Sequence, residues 1–217
     1  MEINKNYPCH SSNYRQNRRK GIKYIVIHYV GATGSAEANA KYYSDTANIG
    51  ASAHYFVGHA SENGEIYQSV PEECCAWHCG TDGTYYHDCR NDSSIGIEMC
   101  CHLKNNNWYF DEVTVENTVK LAKMIMAKYG IPAENVIRHY DVTHKRCPAP
   151  FVNDEALWTD FKLKILKPAE LCNIEDIVSD YYHRGIITDR ELWLKKLEED
   201  TNAYWLARKA INYIRNL

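Results

Sequence analysis

The sequence lacks a long apolar stretch, since no run approaches the ~20 residues that a membrane-spanning helix needs. Its N-terminal segment, MEINKNYPCHSSNYRQNRRKG, is polar and lacks the apolar middle of a secretory signal peptide. The net charge is only −3, so the chain lacks the basic excess of a nucleic-acid-binding protein. We therefore expect a protein that is made in the cytoplasm, does not insert into a membrane and does not bind nucleic acid.

The sequence also lacks the two C-x2-C pairs of a zinc ribbon, although it contains nine cysteines. Because the number is odd, at least one cysteine is outside any intramolecular disulfide. Reduced thiols are the default for a chain without a secretory signal. We expect buried free thiols, and a disulfide stays an open alternative in the loop that holds Cys74, Cys75, Cys79 and Cys89.

The composition is that of a globular protein: 45% of the 217 residues are hydrophobic and 24% are charged. This length predicts one domain of ordinary size, alone or with a small appendage. Tyrosine is abundant, with 17 residues. Amphipathic rings suit pockets for polar, sugar-like or peptide-like ligands, although many of these tyrosines are expected to be ordinary half-buried side chains.

The hydrophobic pattern of the first three quarters of the chain alternates between strands and helices. The predicted strands are 22–30, 52–59, 65–70, 93–101 and 135–139, and the predicted helices are 35–46, 112–129 and 154–166. Ser35 is the expected cap of the first helix, and Asn63-Gly64 marks a hairpin between the second and third strands. We therefore expect an α/β fold with a mixed central sheet flanked by helices.

Pro168 marks an expected boundary between a domain of residues 1–167 and a small all-helical region of residues 168–217. In that region Gly185 is the expected end of one helix, and Thr188 and Glu191 have capping-box spacing at the start of the next. A last helix carries Tyr204, Ala207, Ile211 and Ile214 on one face. The region is too small to hold much core alone, so it packs on the main domain, forms a homodimer or serves as a binding module.

Two histidines and a cysteine form a candidate metal site. His28 lies near the end of the first long strand and His139 at the end of the last one, so both can reach one edge of the sheet. Cys147 follows on a loop, and its basic neighbours Lys145 and Arg146 favour the thiolate that a metal binds. Three such ligands with a fourth position for water are typical of catalytic zinc. The alternative for each residue alone is a hydrogen-bonded core histidine or a polar surface loop.

Five sequence motifs between residues 22 and 150 resemble, in order, the type 2 family of zinc-dependent N-acetylmuramoyl-L-alanine amidases, which shares its fold with peptidoglycan recognition proteins. The motifs are IVIHYV (25–30), SAHYFVG (52–58), AWHCG (76–80), SIGIEM (94–99) and RHYDVTHKRCPAP (138–150). The resemblance implies the amidase fold, a Zn²⁺ cofactor and His28, His139 and Cys147 as its ligands.

The resemblance also implies roles for residues around the metal. Glu98 matches a general base, and Lys145 matches a cation that stabilises the charged tetrahedral intermediate. His78 matches a histidine that lines the cleft. Some phage members carry a catalytic tyrosine where this chain has Ala53, which leaves Glu98 as the expected base.

The two residues after Ala53, His54 and Tyr55, are further candidate substrate contacts. Because neighbouring strand residues point to opposite faces, we expect at most one of them to face the cleft.

The implied reaction is hydrolysis of the amide bond between N-acetylmuramic acid and L-alanine of bacterial peptidoglycan. The helical region favours a phage or prophage endolysin, which acts on the cell wall after release through a membrane pore or lysis. The alternatives are a cytoplasmic enzyme that recycles muropeptides and a peptidoglycan-binding protein without activity.

Overall fold

The structure is a computed structural model that describes residues 1–80, 83–166 and 174–215. The chain forms two compact units, Met1–Ile165 and Leu166–Leu217. The expected boundary at Pro168 and the ninth cysteine, Cys172, lie outside the described residues. In the part of the chain that is described, no helix is both long and apolar enough to cross a bilayer.

The first unit is built on a mixed five-stranded sheet, as the sequence predicts. Its strand order is β4-β3-β6-β2-β9, with β3, β6, β2 and β9 parallel and β4 antiparallel to β3. The strands of this sheet are β2 (Tyr24–Tyr29), β3 (Tyr55–Val57), β4 (Ile66–Gln68), β6 (Ser94–Met99) and β9 (Val136–Arg138). Two small antiparallel pairs are β1 (Tyr14–Arg15) with β5 (Cys75–Ala76), and β7 (His102–Lys104) with β8 (Asn107–Tyr109).

Three of the five helices described in this unit lie close to their predicted positions, and the two short helices at 139–143 and 149–153 were not predicted. The five helices are α1 (Ala36–Asp45), α2 (Glu112–Tyr129), α3 (His139–Thr143), α4 (Ala149–Asn153) and α5 (Glu155–Leu166). The Ser35 hydroxyl accepts the Ala38 N–H and begins α1, as expected. Gly130 ends α2 with a φ of 64°, a left-handed conformation that glycine adopts without strain.

The two faces of the sheet pack against different partners because successive strand residues alternate in direction. One face carries Ile25, Ile27, Ile95 and Ile97, which form the largest core with residues of α2 and α5. The other face carries the residues between them, so it presents Val26, His28, Gly96 and Glu98. The polar residues of β2 and β6 are therefore on one side of the sheet.

The predicted hairpin is present, but its turn is longer than the Asn63-Gly64 pair. Val57 pairs with Ile66, so residues 58–65 form the connection, which includes a short 3-10 turn at Ala60–Glu62. Asn63 and Gly64 both have positive φ angles, of 51° and 67°. The turn at Asn63-Gly64 was predicted correctly. Because the connection is longer than this pair, β3 and β4 are shorter than the predicted strands 52–59 and 65–70.

The C-terminal unit contains α6 (Ile174–His183), α7 (Arg190–Glu199) and α8 (Thr201–Arg215). It has an apolar core of its own: Ile177, Val178, Tyr181, Ile187, Leu197, Ala207 and Ile211. The expected cap of the second helix was wrong by one residue, since the Asp189 carboxylate, and not Thr188, accepts the Leu192 N–H. On α8 the predicted apolar face holds for Ala207 and Ile211, whereas Ile214 is exposed.

Candidate active site

The polar face of the sheet brings the first two candidate residues together. β2 and β6 are parallel neighbours, and His28 is directly opposite Glu98 in their register. Both side chains therefore point to the same side, and the distance between His28 Nδ1 and Glu98 Oε1 is 3.9 Å.

His139 reaches the same place from the adjacent strand. It directly follows β9 and is the first residue of α3, and its ring centroid is 4.6 Å from that of His28. The preceding Arg138 is held by the carboxylates of Asp141 and Glu155 and by the Phe151 carbonyl. This network fixes the end of β9, so the position of His139 is set by the fold and does not depend on a flexible loop.

Cys147 joins His28 and His139 in a group of three side chains that could hold a metal ion. After α3 the chain turns back, and the Tyr140 N–H donates to the Cys147 carbonyl over 2.8 Å. This contact places the Cys147 sulfur 3.6 Å from His28 Nδ1. One ligand atom from each of His28, His139 and Cys147 lies within 4.8 Å of the others.

The geometry and chemistry of this group fit a zinc ion. Zinc–nitrogen and zinc–sulfur bonds of ~2.1 and ~2.3 Å at a tetrahedral angle separate the two donors by about 3.6 Å, which matches the 3.6 Å between Nδ1 of His28 and Sγ of Cys147. The three side chains are almost fully buried, with 1%, 2% and 3% of the surface of His28, His139 and Cys147 exposed. Three donors leave a fourth position for water or substrate.

Burial sets the protonation of these side chains in the metal-free protein. It lowers the pKa of His28 well below its usual range and that of His139 to about 4, so both rings are neutral and able to bind a metal. Burial also raises the pKa of the Cys147 thiol, and the nearby Lys145 only partly opposes this rise. Lys145 favours the thiolate, as expected, but burial and the nearby Glu98 outweigh it in the metal-free protein. A bound cation would have to displace the thiol proton.

The group borders a cavity of about 300 Å³ that also contains the predicted catalytic residues. Glu98 and Lys145 both line this cavity. Burial raises the pKa of Glu98 to about 8, with Lys145 acting in the opposite direction, and Glu98 Oε2 makes no hydrogen bond among the described residues. A buried carboxylate oxygen without a partner is energetically costly, which is typical of a group that meets a ligand.

Several residues of the cavity wall were not predicted from the sequence. Tyr43 comes from α1, and Ser52 and Trp77 come from the segments that flank β3 and β5. The AWHCG motif was noted, but only its histidine was selected. An amphipathic aromatic residue next to a selected histidine was the signal that could have found Trp77.

His78 borders the cavity and contacts His28 on the side of the ring away from Cys147. It is 8% exposed, and its Nδ1 is 3.0 Å from Nε2 of His28, the ring nitrogen that does not face Cys147. Its other nitrogen, Nε2, is 3.2 Å from the Ser94 hydroxyl.

The structure does not place His54 or Tyr55 at the cavity, which corrects their assignment as substrate contacts. His54 has no exposed surface, and its two ring nitrogens contact the Gly96 N–H and the Arg18 guanidinium. Tyr55 is 2% exposed and donates its hydroxyl hydrogen to Glu72 on the other side of the sheet. As expected, the two point to opposite faces, but His54 is covered on the cavity side.

The eight described cysteines are free and buried, as predicted. One of them, Cys100, lies near His59 and Glu62 in a second group with metal-binding atoms. Here Glu62 already accepts the Ala36 and Glu37 N–H groups at the start of α1 and lies 3.1 Å from His59 Nδ1. The Glu62 carboxylate is therefore already used to cap α1, and we assign no site to this group.

Comparison with known proteins agrees with this geometry. Residues 16–150 match the family model for N-acetylmuramoyl-L-alanine amidase. The N-acetylmuramoyl-L-alanine amidase CwlL of Bacillus licheniformis is 33% identical over 154 residues, which cover 67% of this chain and 41% of CwlL. The chain thus matches less than half the length of that relative.

Solved structures show the same fold. A mutant form of PlyL superposes with a TM-score of 0.63 and 27% identity, over 77% of this chain and 100% of PlyL. A mutant endolysin from Bacillus subtilis superposes with a TM-score of 0.60 and 28% identity, over 76% of this chain and 99% of the endolysin chain. Because the family model spans more than half of the 217 residues, the protein belongs to the N-acetylmuramoyl-L-alanine amidase family.

Proposed function

We propose that the protein is a zinc-dependent peptidoglycan hydrolase that cleaves the amide bond between N-acetylmuramic acid and L-alanine of the stem peptide. The observation that carries this proposal is the convergence of His28, His139 and Cys147 at a cavity that also contains Glu98 and Lys145. Family membership supports the choice of substrate.

His28, His139 and Cys147 hold the cofactor in this proposal. A zinc ion in this position would act as a Lewis acid, which polarises an amide carbonyl and makes water nucleophilic near neutral pH. The deep burial of the three ligands keeps bulk water away from them and strengthens electrostatic interactions with the substrate.

Glu98 acts as the general base. Its carboxyl group lies beside His28 and has an oxygen without a hydrogen bond among the described residues, so in its ionised form it can accept the proton of the attacking water. The same carboxyl group then returns this proton to the nitrogen of the departing stem peptide. A single carboxyl group thus acts first as the general base and then as the general acid.

Lys145 stabilises the negative charge that develops on the carbonyl oxygen. It lines the cavity two positions before Cys147, so its ammonium group is close to the reacting bond. One donor aimed at a developing oxyanion contributes about 3 kcal/mol to transition-state stabilisation. Trp77 and Tyr43 supply amphipathic surfaces for the sugar and peptide.

We further propose that the protein is a phage or prophage endolysin that reaches the cell wall after release through a pore or lysis. The similarity to a solved endolysin supports this role. The C-terminal unit has its own core, which supports a separate wall-binding or dimerisation module.

The reaction is tested by mass spectrometry of digested walls. Purified zinc-loaded protein should release stem peptides with a free L-alanine amino group and leave the glycan strands intact. Walls that are bound but not cleaved would favour a binding protein. Cleavage of soluble anhydro-muropeptides with no action on walls would favour a recycling enzyme.

A further inference from the structure

The side of His28 that faces away from Cys147 meets a short chain of polar groups inside the protein. His28 Nε2 lies 3.0 Å from Nδ1 of His78, and His78 Nε2 lies 3.2 Å from the Ser94 hydroxyl. The Ser94 hydroxyl in turn donates to the Arg90 carbonyl over 2.8 Å. The three side chains are at least 92% buried, so bulk water is not an alternative partner for them.

The proton positions along this chain follow from its two ends. The Arg90 carbonyl can only accept, so the Ser94 hydroxyl donates to it, and the hydroxyl oxygen accepts from His78 Nε2–H. A neutral His78 with its proton on Nε2 has a lone pair on Nδ1. That lone pair accepts the Nε2–H of His28, which leaves the lone pair of His28 on Nδ1, the nitrogen that faces Cys147.

We propose that His78, supported by Ser94, is a positioning residue that fixes the tautomer and ring orientation of His28 for metal binding. This inference rests on the proposed zinc site and identifies the side chains that orient its ligand His28. Histidines that bind a metal usually donate their second ring N–H to a carboxylate, a carbonyl or water. In this chain a second, neutral histidine takes that place, so His78 acts through His28 and not on the substrate.

The surroundings of His78 hold its ring in one orientation. The Asn91 side-chain oxygen accepts the N–H groups of His78 and Cys79, over 3.0 and 2.6 Å. The ring lies directly over Gly96, where an added Cβ would be 2.6 Å from the His78 Cγ. Only glycine leaves room for the imidazole at that point of β6, so the close packing of the ring on the strand depends on Gly96.

Zinc affinity, measured by competition with a chromophoric chelator, tests the proposal. His78→Leu and His78→Asn have side chains of nearly equal size, but only asparagine places an acceptor oxygen where Nδ1 lies. His78→Leu should bind zinc ~10- to 100-fold more weakly than the wild type. His78→Asn should recover most of that loss. Equal affinity of wild type and His78→Leu would overturn the proposal.

Adjacent serines provide a matched control. Ser93 and Ser94 are both fully buried and both donate to a backbone carbonyl, but only Ser94 contacts His78. Ser94→Ala should weaken zinc binding about 2- to 10-fold, the value of one net hydrogen bond, while Ser93→Ala leaves it unchanged. Equal effects of the two substitutions would show general loosening and contradict the specific role of Ser94.

An alternative metal site would use Cys79 in place of Cys147. The Cys79 sulfur is 3.3 Å from His78 Nδ1, and His28, His78 and Cys79 could themselves surround a cation. In our proposal Cys79→Ala keeps zinc and Cys147→Ala loses it, and the reverse result would overturn both the inference and the ligand assignment. Wild-type protein that binds no zinc would refute the proposed function, an outcome distinct from unchanged affinity in His78→Leu.

Nitrogen NMR of the wild-type protein measures the tautomers of His28 and His78 without any substitution. With zinc bound, His28 should appear as the tautomer with the proton on Nε2, and the His78 ring should be neutral with its proton also on Nε2. A proton on Nδ1 of His78 would break the chain at its centre and contradict the proposal, whatever the behaviour of the variants.

Discussion

The sulfur of Cys147 lies 3.6 Å from Nδ1 of His28, although 119 positions separate the two residues in sequence. Two features of the fold close this distance. β9 lies beside β2 in the sheet, and the chain after α3 turns back so that Tyr140 binds the Cys147 carbonyl.

Replacing the sulfur should remove the metal. Cys147→Ala leaves two histidines, so zinc content should fall from about one ion per chain toward zero, together with wall lysis. Elemental analysis of the purified protein measures this. Cys75→Ala is the matched control, because Cys75 is equally buried but is not one of the residues in the group with His28 and His139. Normal zinc content in Cys147→Ala would refute the ligand assignment.

Replacing the general base should separate binding from catalysis. Glu98→Gln keeps the size of the side chain but cannot accept the proton of water, so kcat should fall about 10²- to 10⁴-fold. Zinc content should stay at the wild-type level because Glu98 is not one of the three ligands. Release of stem peptide from walls gives the rate. A variant with full zinc and undiminished kcat would exclude Glu98 as the base.

Removing the cation of the cavity should lower the rate without loss of metal. Lys145→Met removes the ammonium group near the carbonyl oxygen, so kcat/KM should fall about 10²-fold. Arg146→Met is the control, because it removes the same charge from the next residue, whose guanidinium binds the Asn153 side chain instead. Parallel losses in both variants would point to a general effect of net charge.

A buried carboxylate on the opposite side of the sheet should contribute to stability. Glu72 accepts hydrogen bonds from Tyr55, Tyr129 and Lys128. Burial raises its pKa, but these partners outweigh burial, so the net pKa is below the usual range. Because the folded-state pKa is the lower one, this stabilisation is complete above the unfolded-state pKa of ~4.3 and disappears as the pH falls through the folded-state value.

The substitution Glu72→Gln tests this pH dependence. At pH 7 it should lower the free energy of unfolding by about 1–3 kcal/mol, and the difference from wild type should shrink below pH ~4. Urea unfolding at several pH values measures both effects. The exposed neighbour Glu73 provides the control substitution Glu73→Gln, which should be nearly neutral. A difference that grows on acidification would contradict the assigned sign.

Deleting residues 168–217 should leave the catalytic unit intact. The whole cavity lies within Met1–Ile165, and this unit has its own core. The shortened protein should cleave a soluble muropeptide at close to the full-length rate but sediment less with walls. Unchanged wall binding would exclude a binding module, and a change from dimer to monomer in light scattering would assign the unit to assembly.

The elements of the fold were largely predictable because local signals determine them. The helix α2 ends at Gly130 as its sequence predicts, and the apolar runs around His28 and Glu98 form neighbouring strands. The length of the hairpin connection was harder to predict, because the 3-10 turn at Ala60–Glu62 has no sequence signal as strong as Asn63-Gly64. The cap of α7 fell on Asp189 because two adjacent residues could each have served.

The sequence by itself determined the kinds of ligand present, their order and the alternation of strands and helices, because these depend on residue identity and short-range periodicity. Only the tertiary structure decided which histidines serve which purpose. His28 and His139 reach the cavity, His78 supports His28 from behind, and His54 is covered by Arg18. The physical reason is that side-chain direction depends on strand register and on packing by distant segments, neither of which is encoded near the histidine itself.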